Sequence, residues 1–374
     1  MRLSTFRKLA KRIVLSILVL FGIFLICVIC FVARCHSIAA HFQPPTDAAR
    51  ERHVITAKIT NYSRPEEDGF LNYPEWYIVW SYQEKADFQR DHLPSRFPYF
   101  GSIMQYWSGY CCSYGLVRGR YPFNAGDHLM LIVIGSSFSF EYAVRGAYEK
   151  TIGRLTEWMS SGQPVEEDIY AYRVAKDYAD FVHIRPFYEF SFWTRLTALW
   201  RQTTLWGPHP VRKWERKAFL SLDYGIESFY TWIIEKATHS VYGVEGSDTY
   251  AWVDHAPRDT LAVNPKVKLV QATGPQSFIV VIPRYQEFTE IVSELSRRDV
   301  HFVEIAGNEN VLLTALVPRP WTYDLSDGEF LFSSDVLTEP ELKRIAVLSP
   351  VRSLHGVVHN LASRGLKLEH IYDY

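Results

Sequence analysis

The chain has 374 residues, and its 40 Lys and Arg residues nearly balance its 41 Asp and Glu residues, for a formal net charge of −1. This balance gives no overall electrostatic signature of nucleic-acid binding, so we expect no nucleic-acid partner. The sequence also has no Walker loop, no G-x-S-x-G elbow and no H-E-x-x-H motif, and we predict neither a cofactor nor a metal. The distribution of apolar and aromatic residues therefore carries most of the information.

An uncharged, strongly apolar run lies between Arg12 and Arg34. About 20 apolar residues, each rising roughly 1.5 Å in a helix, span the ~30 Å hydrocarbon layer of a bilayer. We therefore predict that residues 1–36 form a cytoplasmic tip and an uncleaved transmembrane anchor. A cleaved signal peptide is the alternative, because small residues surround a potential cleavage position at Ser37 to Ala39.

The charges beside this anchor are one-sided. Before it, with no acid among them, come Arg2, Arg7, Lys8, Lys11 and Arg12. Basic flanks stay in the cytoplasm, so the asymmetry predicts a single-pass protein of the cell membrane whose N-terminus is cytoplasmic and whose bulk is extracytoplasmic. The expected partners are the lipid bilayer and another membrane or envelope protein.

The rest of the chain divides into three segments, and together they predict an α+β fold. Residues 37–69 are polar and proline-containing, which is typical of a tether. Residues 70–254 hold most of the aromatic side chains and show helical periodicity, starting from a capping box at Asn72 to Glu75. The predicted helices cover about 72–92, 99–117, 127–159, 166–183, 188–203 and 210–240.

Residues 255–374 change to a pattern of strands and helices. β-branched runs predict strands at 268–271, 278–282, 300–306, 310–317, 344–348 and 367–372, with a further one at 329–333. Amphipathic helices are expected at 285–298 and 354–363. Two β-α-β units around a hairpin at Gly307 to Glu309 predict a ferredoxin-like α+β sandwich.

The cysteines are few. Cys27 and Cys30 lie within the apolar run, Cys35 at its end, and Cys111 and Cys112 are neighbours in the soluble part. We expect no conventional disulfide framework, and we interpret Cys111 as a small core residue of its helix.

A second apolar stretch, Leu129 to Phe140, opens the long third helix. Its charge-free run of about 12 residues is shorter than a transmembrane helix needs, which favours a buried core helix. The alternative is that residues 129–148 enter the bilayer or pack on the anchor, and a full second crossing would return the remaining chain to the cytoplasm.

Four acids of the helical segment are the candidate catalytic residues: Glu75, Glu141, Glu149 and Glu189. Glycan chemistry by general acid and base needs two carboxyl groups about 5–10 Å apart. The alternative is a salt ladder, because Glu141, Arg145 and Glu149 follow each other at i, i+4 spacing on one helix face. Two of these acids in one aromatic-lined cavity would favour the enzyme, and pairing with bases at the surface would favour the ladder.

A basic cluster lies at the start of the sixth predicted helix. The candidate anion-binding or lipid-binding residues are Arg212, Lys213, Arg216 and Lys217, with Trp206 and Trp214 beside them. Cations at this end oppose the helix dipole, so we expect a compensating partner. That partner is an acid of a neighbouring helix, a lipid phosphate or another anionic ligand.

Two functions remain open from the sequence. The first is a membrane-anchored envelope protein with a binding or assembly role and no enzymatic activity. The alternative is a membrane-tethered hydrolase or transferase that acts on an envelope glycan or lipid through the carboxylates of the helical domain.

Overall fold

The structure, a computed structural model, describes residues 11, 15, 19, 22–35, 59–118, 120–241, 248–324 and 328–374. Within these ranges the chain combines helices with two four-stranded sheets, in line with the predicted α+β class. Most of the predicted tether, the cytoplasmic tip and the first half of the predicted anchor lie outside the described residues.

Helices make up the N-terminal part of the described chain. They are α1 Gly22–Cys35, α2 Glu66–Asp91, α3 Tyr99–Val117, α4 Ala125–Tyr148, α5 Arg154–Met159, α6 Glu166–Val182, α7 Phe192–Gln202 and α8 Pro210–Val241. A π-helical turn, Glu149–Gly153, joins α4 to α5, so that Ala125–Met159 runs as one helix. These bounds confirm the helices predicted at 99–117, 166–183 and 210–240.

The start of α2 corrects one prediction. The capping box expected at Asn72 to Glu75 is wrong, because α2 begins earlier, at Glu66, and continues through Pro74. Its first turn is Glu66-Glu67-Asp68, and negative charge is favourable at the positive end of the helix dipole. The helix therefore starts at an acidic turn that directly follows Pro65.

Helix α1, the second half of the predicted anchor, packs along α3 and α4. The rings of Phe31 and Trp107 are 6.0 Å apart, and Phe24 meets Phe140 edge-on at 6.1 Å. At the end of α1 a disulfide bond joins Cys35 to Cys111, with their Cα atoms 5.1 Å apart. The interpretation of Cys111 as a simple core residue is therefore wrong, because folding brings α1 beside α3 and no sequence spacing reveals that contact.

Helix α4 has two different apolar faces. Leu131 and Phe138 are buried against α2 and α3, whereas Leu129, Val133 and Phe140 are exposed on the opposite side. By length and composition Ala125–Met159 could span a membrane, and Gly22–Cys35 is a shorter apolar helix. The stretch 129–140 is thus a core helix that also packs on α1, which combines two of the sequence-based alternatives.

The C-terminal part holds two antiparallel sheets. The first comprises β1 Asp248–Asp254, β2 Lys268–Gly274, β3 Ser277–Pro283 and β4 His301–Ile305, with helices α9 Arg258–Ala262 and α10 Gln286–Ser296. The second comprises β5 Asn310–Pro318, β6 Glu329–Asp335, β7 Leu342–Pro350 and β8 Lys367–Ile371, with helix α11 Leu354–Ser363. Strand β1 begins before the domain boundary predicted at residue 255.

The sheet topology corrects the prediction of one sandwich. The strand orders are β2-β3-β1-β4 and β6-β7-β5-β8, so the second sheet repeats the order of the first. The hairpin expected at Gly307 to Glu309 is wrong, because β4 pairs with β1 whereas β5 pairs with β7 and β8. Strand propensity identified both strands, but the choice of pairing partner is set by tertiary packing.

A buried arginine joins the helical and sheet parts. Arg344 of β7 donates to Glu84 of α2 at 3.1 Å and to Glu369 of β8 at 2.6 Å, and its guanidinium carbon lies 4.1 Å from the centre of the Trp80 ring. Such a buried ion pair is costly to break, because removing one partner leaves the other charge uncompensated. Arg344 therefore fixes how the two parts dock.

Candidate functional site

A cavity of about 60 Å³ lies among the helices and opens to solvent. It is large enough for a few water molecules, since about 10–15 Å³ of such space accommodates one. Its charged lining residues are Lys85, Glu141, Arg145, Glu149, Arg216, Asp223 and Glu227. Its aromatic lining residues are Tyr82, Tyr99, Tyr178, Phe192, Phe219 and Tyr224.

Residue spacing along three helices explains why these side chains meet. Side chains three, four or seven positions apart share one face of a helix. The cavity-facing stripes are Tyr82-Lys85-Gln89 on α2, Glu141-Arg145-Glu149 on α4 and its π-turn, and Arg216-Asp223-Glu227 on α8. Packing of the three stripes against each other creates a charged centre inside an aromatic shell.

Arg145 is the hub of this centre. Its Nε donates to Asp223 Oδ1 at 2.9 Å, its Nη2 donates to Glu227 Oε1 at 2.9 Å, and its Nη1 donates to Glu141. One guanidinium thus faces three carboxylates. The group is negatively charged unless a proton or another cation joins it, so the cavity is a natural place to hold a proton.

Lys85 supplies a second cationic group on the cavity wall. Within the described residues it makes no ion pair, and its Nζ lies 6.0 Å from the centre of the Tyr142 ring. Burial lowers the pKa of Lys85 to about 7, and the charge of Arg145 acts in the same direction. Near neutral pH a large fraction of these amines is uncharged and able to accept a proton.

Glu227 has the opposite tendency. Burial raises the pKa of Glu227, and this effect outweighs the lowering by Arg145. On the same cavity wall, Tyr82 Oη donates to Glu141 Oε2 at 2.9 Å. The cavity therefore combines a carboxyl group whose pKa is raised with an amine whose pKa is lowered, which is the kind of pairing that acid–base chemistry uses.

The π-turn places the last acid of the stripe. Glu149 is 2% exposed and accepts a hydrogen bond from Arg216 Nη1 at 2.7 Å, while burial raises its pKa. A Cβ atom at Gly153 would lie 2.5 Å from Glu149 Oε2, so a larger residue at this position would displace the carboxylate from where it lies. Single π-turns inside α-helices are often found at functional sites.

The structure separates the four candidate acids into two pairs. Glu141 and Glu149 line the same aromatic cavity. Glu75 is exposed on α2, and the exposed Glu189 lies 3.8 Å from Arg185 in a surface ion pair. Glu75 and Glu189 therefore do not pair with Glu141 in the cavity, because neither of them lines it.

The salt ladder is observed in part. Arg145 does pair with Glu141 along α4, but its other bonds cross to α8. Glu157 accepts hydrogen bonds from Ser95 and from Arg212 instead of pairing with Arg154. The charges thus tie helices together more than they support one helix.

The basic cluster at the start of α8 lies inside the protein. Arg212, Lys213, Arg216 and Lys217 are each between 1 and 3% exposed. Arg212 Nη2 donates to Asp168 Oδ1 at 2.8 Å, and Lys213 Nζ lies 3.2 Å from Glu167 Oε2. Their compensating partners are acids of α5, α6, α8 and the π-turn, so the four cations have no surface from which to contact lipid phosphates. Three other acids of the neighbouring segments, Asp177, Asp180 and Glu189, instead pair with Arg195, Lys176 and Arg185.

The two tryptophans of the same prediction lie outside. Trp206 is 74% exposed and Trp214 is 40% exposed, and their rings meet edge-on with centroids 6.1 Å apart. Both are available to a membrane interface, where tryptophan is enriched. Lipid contact at Trp206 and Trp214 remains a prediction.

Sequence reasoning missed Lys85, Asp223 and Glu227. The signal that could have found Asp223 and Glu227 is their i, i+4 spacing on α8, which matches the stripe on α4. Nothing in the sequence distinguishes Lys85 from an ordinary surface lysine of an amphipathic helix, because its properties arise from burial beside α4 and α8.

Comparison of the chain with protein-family models, with curated proteins and with solved structures finds no match. The functional conclusion therefore rests on the geometry of the cavity.

Proposed function

We propose that this is a membrane-anchored envelope protein whose N-terminus is cytoplasmic and whose bulk lies outside the cytoplasm. The one-sided basic flank of the apolar run supports this orientation. The disulfide between Cys35 and Cys111 supports it independently, because such bonds persist in oxidising compartments and are rare in the cytosol. Both α1 and α4 expose large apolar side chains, such as Ile26, Ile29, Leu129 and Val133, which suit contact with lipid.

We further propose that the helical domain is an enzyme that performs acid–base chemistry on an envelope glycan or lipid, as a hydrolase or transferase. The observation that carries this proposal is the juxtaposition of Lys85 with Glu227 in one cavity. Groups with shifted pKa values cluster at functional sites, since catalysis needs a base and an acid poised near the working pH. In this scheme Lys85 accepts a proton from the attacking hydroxyl or water, and Glu227 donates one to the leaving group.

The acids Glu141 and Glu149 support this choice over a purely structural role. Both line one aromatic cavity, which is the arrangement that separates the enzyme from the salt ladder. The cavity of about 60 Å³ admits water and the reacting end of a substrate, not a whole sugar or lipid. The rest of the substrate would lie along the surface outside it.

A non-enzymatic assembly role is the second candidate. Helix α8 exposes a row of large apolar side chains: Leu222, Ile226, Phe229, Trp232 and Ile233. Monomeric soluble proteins rarely expose such a contiguous patch, so this row favours a protein or lipid contact. The two roles are compatible, because the row lies on α8 away from the side chains that line the cavity.

The ferredoxin-like description of the C-terminal part is retained as an interpretation of each sheet separately. The first sheet has the element order β-α-β-β-α-β with β1 and β3 in its centre, which is the arrangement of that fold. The second sheet has the same strand order but no helix between β5 and β6 among its described residues. We interpret the C-terminal part as two such units in tandem.

The enzyme proposal is tested with the full chain purified in detergent. The protein is incubated with glycan and lipid extracts of the cell envelope, and products are sought by liquid chromatography and mass spectrometry. We expect a product that depends on the wild-type chain and that falls about 10²-fold or more in Lys85→Met and Glu227→Gln. Lys266→Met, a surface variant, is the matched control. Equal conversion by Lys85→Met, or no conversion of any extract, would reject the proposal.

A further inference from the structure

Three imidazoles and a carboxylate gather at one edge of the first sheet. Asp254 ends β1, His255 follows it, His301 opens β4, and His355 lies in the first turn of α11. Their sequence positions are far apart, and only the pairing of β1 with β4 and the packing of α11 bring them together. The sequence has no metal-binding motif at these positions, so it does not predict this cluster.

The donor atoms of this cluster lie close to each other. One ligand atom each from Asp254, His255 and His301 falls within 4.8 Å of the other two. A tetrahedral zinc ion with bonds of about 2.0–2.2 Å holds its ligand atoms roughly 3.4 Å apart. Small rotations of the exposed His255 and the half-buried His301 therefore bring all three donors to one ion.

The histidines are also stacked on one another. The His301 ring lies 3.8 Å from the His355 ring at an interplanar angle of 15°, and its centroid lies 4.6 Å from that of the His255 ring. Imidazole is the commonest metal ligand in proteins, so these contacts bring several potential ligands to one place.

Two details of the local structure point to a ligand in the same place. His255 has φ 50°, a left-handed conformation that costs energy for a residue other than glycine and that is often retained at binding sites. His255 Nδ1 lies 3.0 Å from Asp254 Oδ1, and the buried Nδ1 of His355 has no hydrogen-bond partner among the described residues. All of these observations concern groups that a metal site uses as ligands or as supports for ligands.

We propose that Asp254, His255 and His301 bind a divalent transition-metal ion of the zinc type, with His355 packed behind His301 as a positioning residue. Two imidazole nitrogens and a carboxylate oxygen suit borderline ions such as Zn²⁺ and leave a fourth position for water. The ion would join the end of β1 to the start of β4 and hold His255 in its left-handed conformation. This site is separate from the cavity among the helices, and the proposal does not depend on the enzyme proposal.

The test is isothermal titration of the full chain in detergent with Zn²⁺ as the probe, using a purification tag without histidine. We expect one saturable zinc site per chain, weakened more than about tenfold in His255→Ala and in His301→Ala. His359→Ala, which removes an exposed histidine of α11, is the matched control and should bind as the wild type does.

Cobalt gives a second readout, because Co²⁺ bound to nitrogen and oxygen ligands absorbs visible light more strongly than the free ion does. These bands should be lost in Asp254→Asn and in His255→Ala, and circular dichroism checks that both variants keep the fold. The absence of saturable zinc binding by the wild type would overturn the proposal. Undiminished binding by a correctly folded His255→Ala or His301→Ala protein would do the same.

Discussion

Arg145 of α4 and Asp223 of α8 form a partly buried ion pair, with Nε 2.9 Å from Oδ1, and this pair joins two of the helices that line the cavity. The same guanidinium pairs with Glu227, so a single cation is shared by acids that would otherwise repel one another. Lys85 lies beside this group without joining it. Arg145 leaves part of the negative charge of these acids uncompensated. The net charge of the cavity therefore depends on whether Lys85 and Glu227 carry a proton.

The first prediction concerns the reactivity of Lys85. Because burial lowers its pKa to about 7, its amine is largely uncharged at pH 7.5 and should be acylated preferentially. Limited treatment with an acetylating N-hydroxysuccinimide ester, followed by peptide mass spectrometry, should modify Lys85 earlier than the exposed Lys266. Faster modification of Lys266 would show that Lys85 is either charged or inaccessible, and it would remove the proposed base.

The second prediction is the pH dependence of stability that follows from the same residue. The folded protein holds Lys85 with a pKa of about 7, below the ordinary value of 10.5, so between these two pH values the unfolded chain binds more protons. Stability should therefore rise with pH across this window through Lys85, and the contribution should be constant below it. Lys85→Met should raise the thermal midpoint most near pH 7 and gain little near pH 10. An equal gain at both pH values would contradict the lowered pKa.

The third prediction concerns Arg212, whose guanidinium has bonds to Asp168, Glu157 and Glu215. Arg212→Ala should lower the free energy of unfolding by about 3–5 kcal/mol, because Glu157 and Glu215 lose their buried counter-charge and Asp168 keeps only Arg216. Binding to anionic vesicles should not change per folded molecule. Arg173→Ala, which removes an exposed arginine of α6, controls for charge alone and should change stability by less than about 0.5 kcal/mol.

This expectation follows from one of the alternatives that the sequence leaves open. The position of Arg212 and Arg216 at a helix start predicts a compensating partner, which is an acid of a neighbouring helix, a lipid phosphate or another anionic ligand. The structure shows acids of three other segments around these two arginines. The sequence shows that these cations need a negatively charged partner, but it does not show which acids provide it.

The fold shows the same division between local and long-range information. The helices α3, α6 and α8 and most strands follow from periodicity and propensity, because those signals arise within the element. The assignment of β4 and β5 to different sheets, the bond from Cys35 to Cys111 and the approach of Lys85 to Glu227 depend on segments far apart in the chain. A single sequence carries no signal for such contacts.

The fourth prediction compares two helical glycines. A Cβ atom at Gly135 of α4 would lie 2.0 Å from a ring carbon of Tyr106, whose hydroxyl donates to the Leu131 carbonyl at 2.6 Å, whereas nothing lies within 4 Å of one at Gly225 of α8. Gly135→Ala should therefore destabilise the protein by more than about 1 kcal/mol through overpacking. Gly225→Ala should stabilise it by about 0.5–1 kcal/mol through helix propensity. The measurement is the thermal midpoint of both variants. Equal changes in the two midpoints would mean that α3 and α4 do not pack this closely.

The last prediction tests the orientation of the chain through its cysteines. If the bulk lies outside the cytoplasm, protein from intact cells should yield a peptide pair joined by Cys35 and Cys111 under non-reducing conditions, and Cys111→Ser should abolish it. Cys112→Ser is the matched control, because Cys112 is a free thiol next to the bonded one. Losing the bond should cost about 2–4 kcal/mol of stability, since it removes a constraint between α1 and α3. If both cysteines are instead alkylated as free thiols in freshly lysed cells, the soluble bulk faces a reducing compartment, and the basic flank would have misled the assignment of orientation.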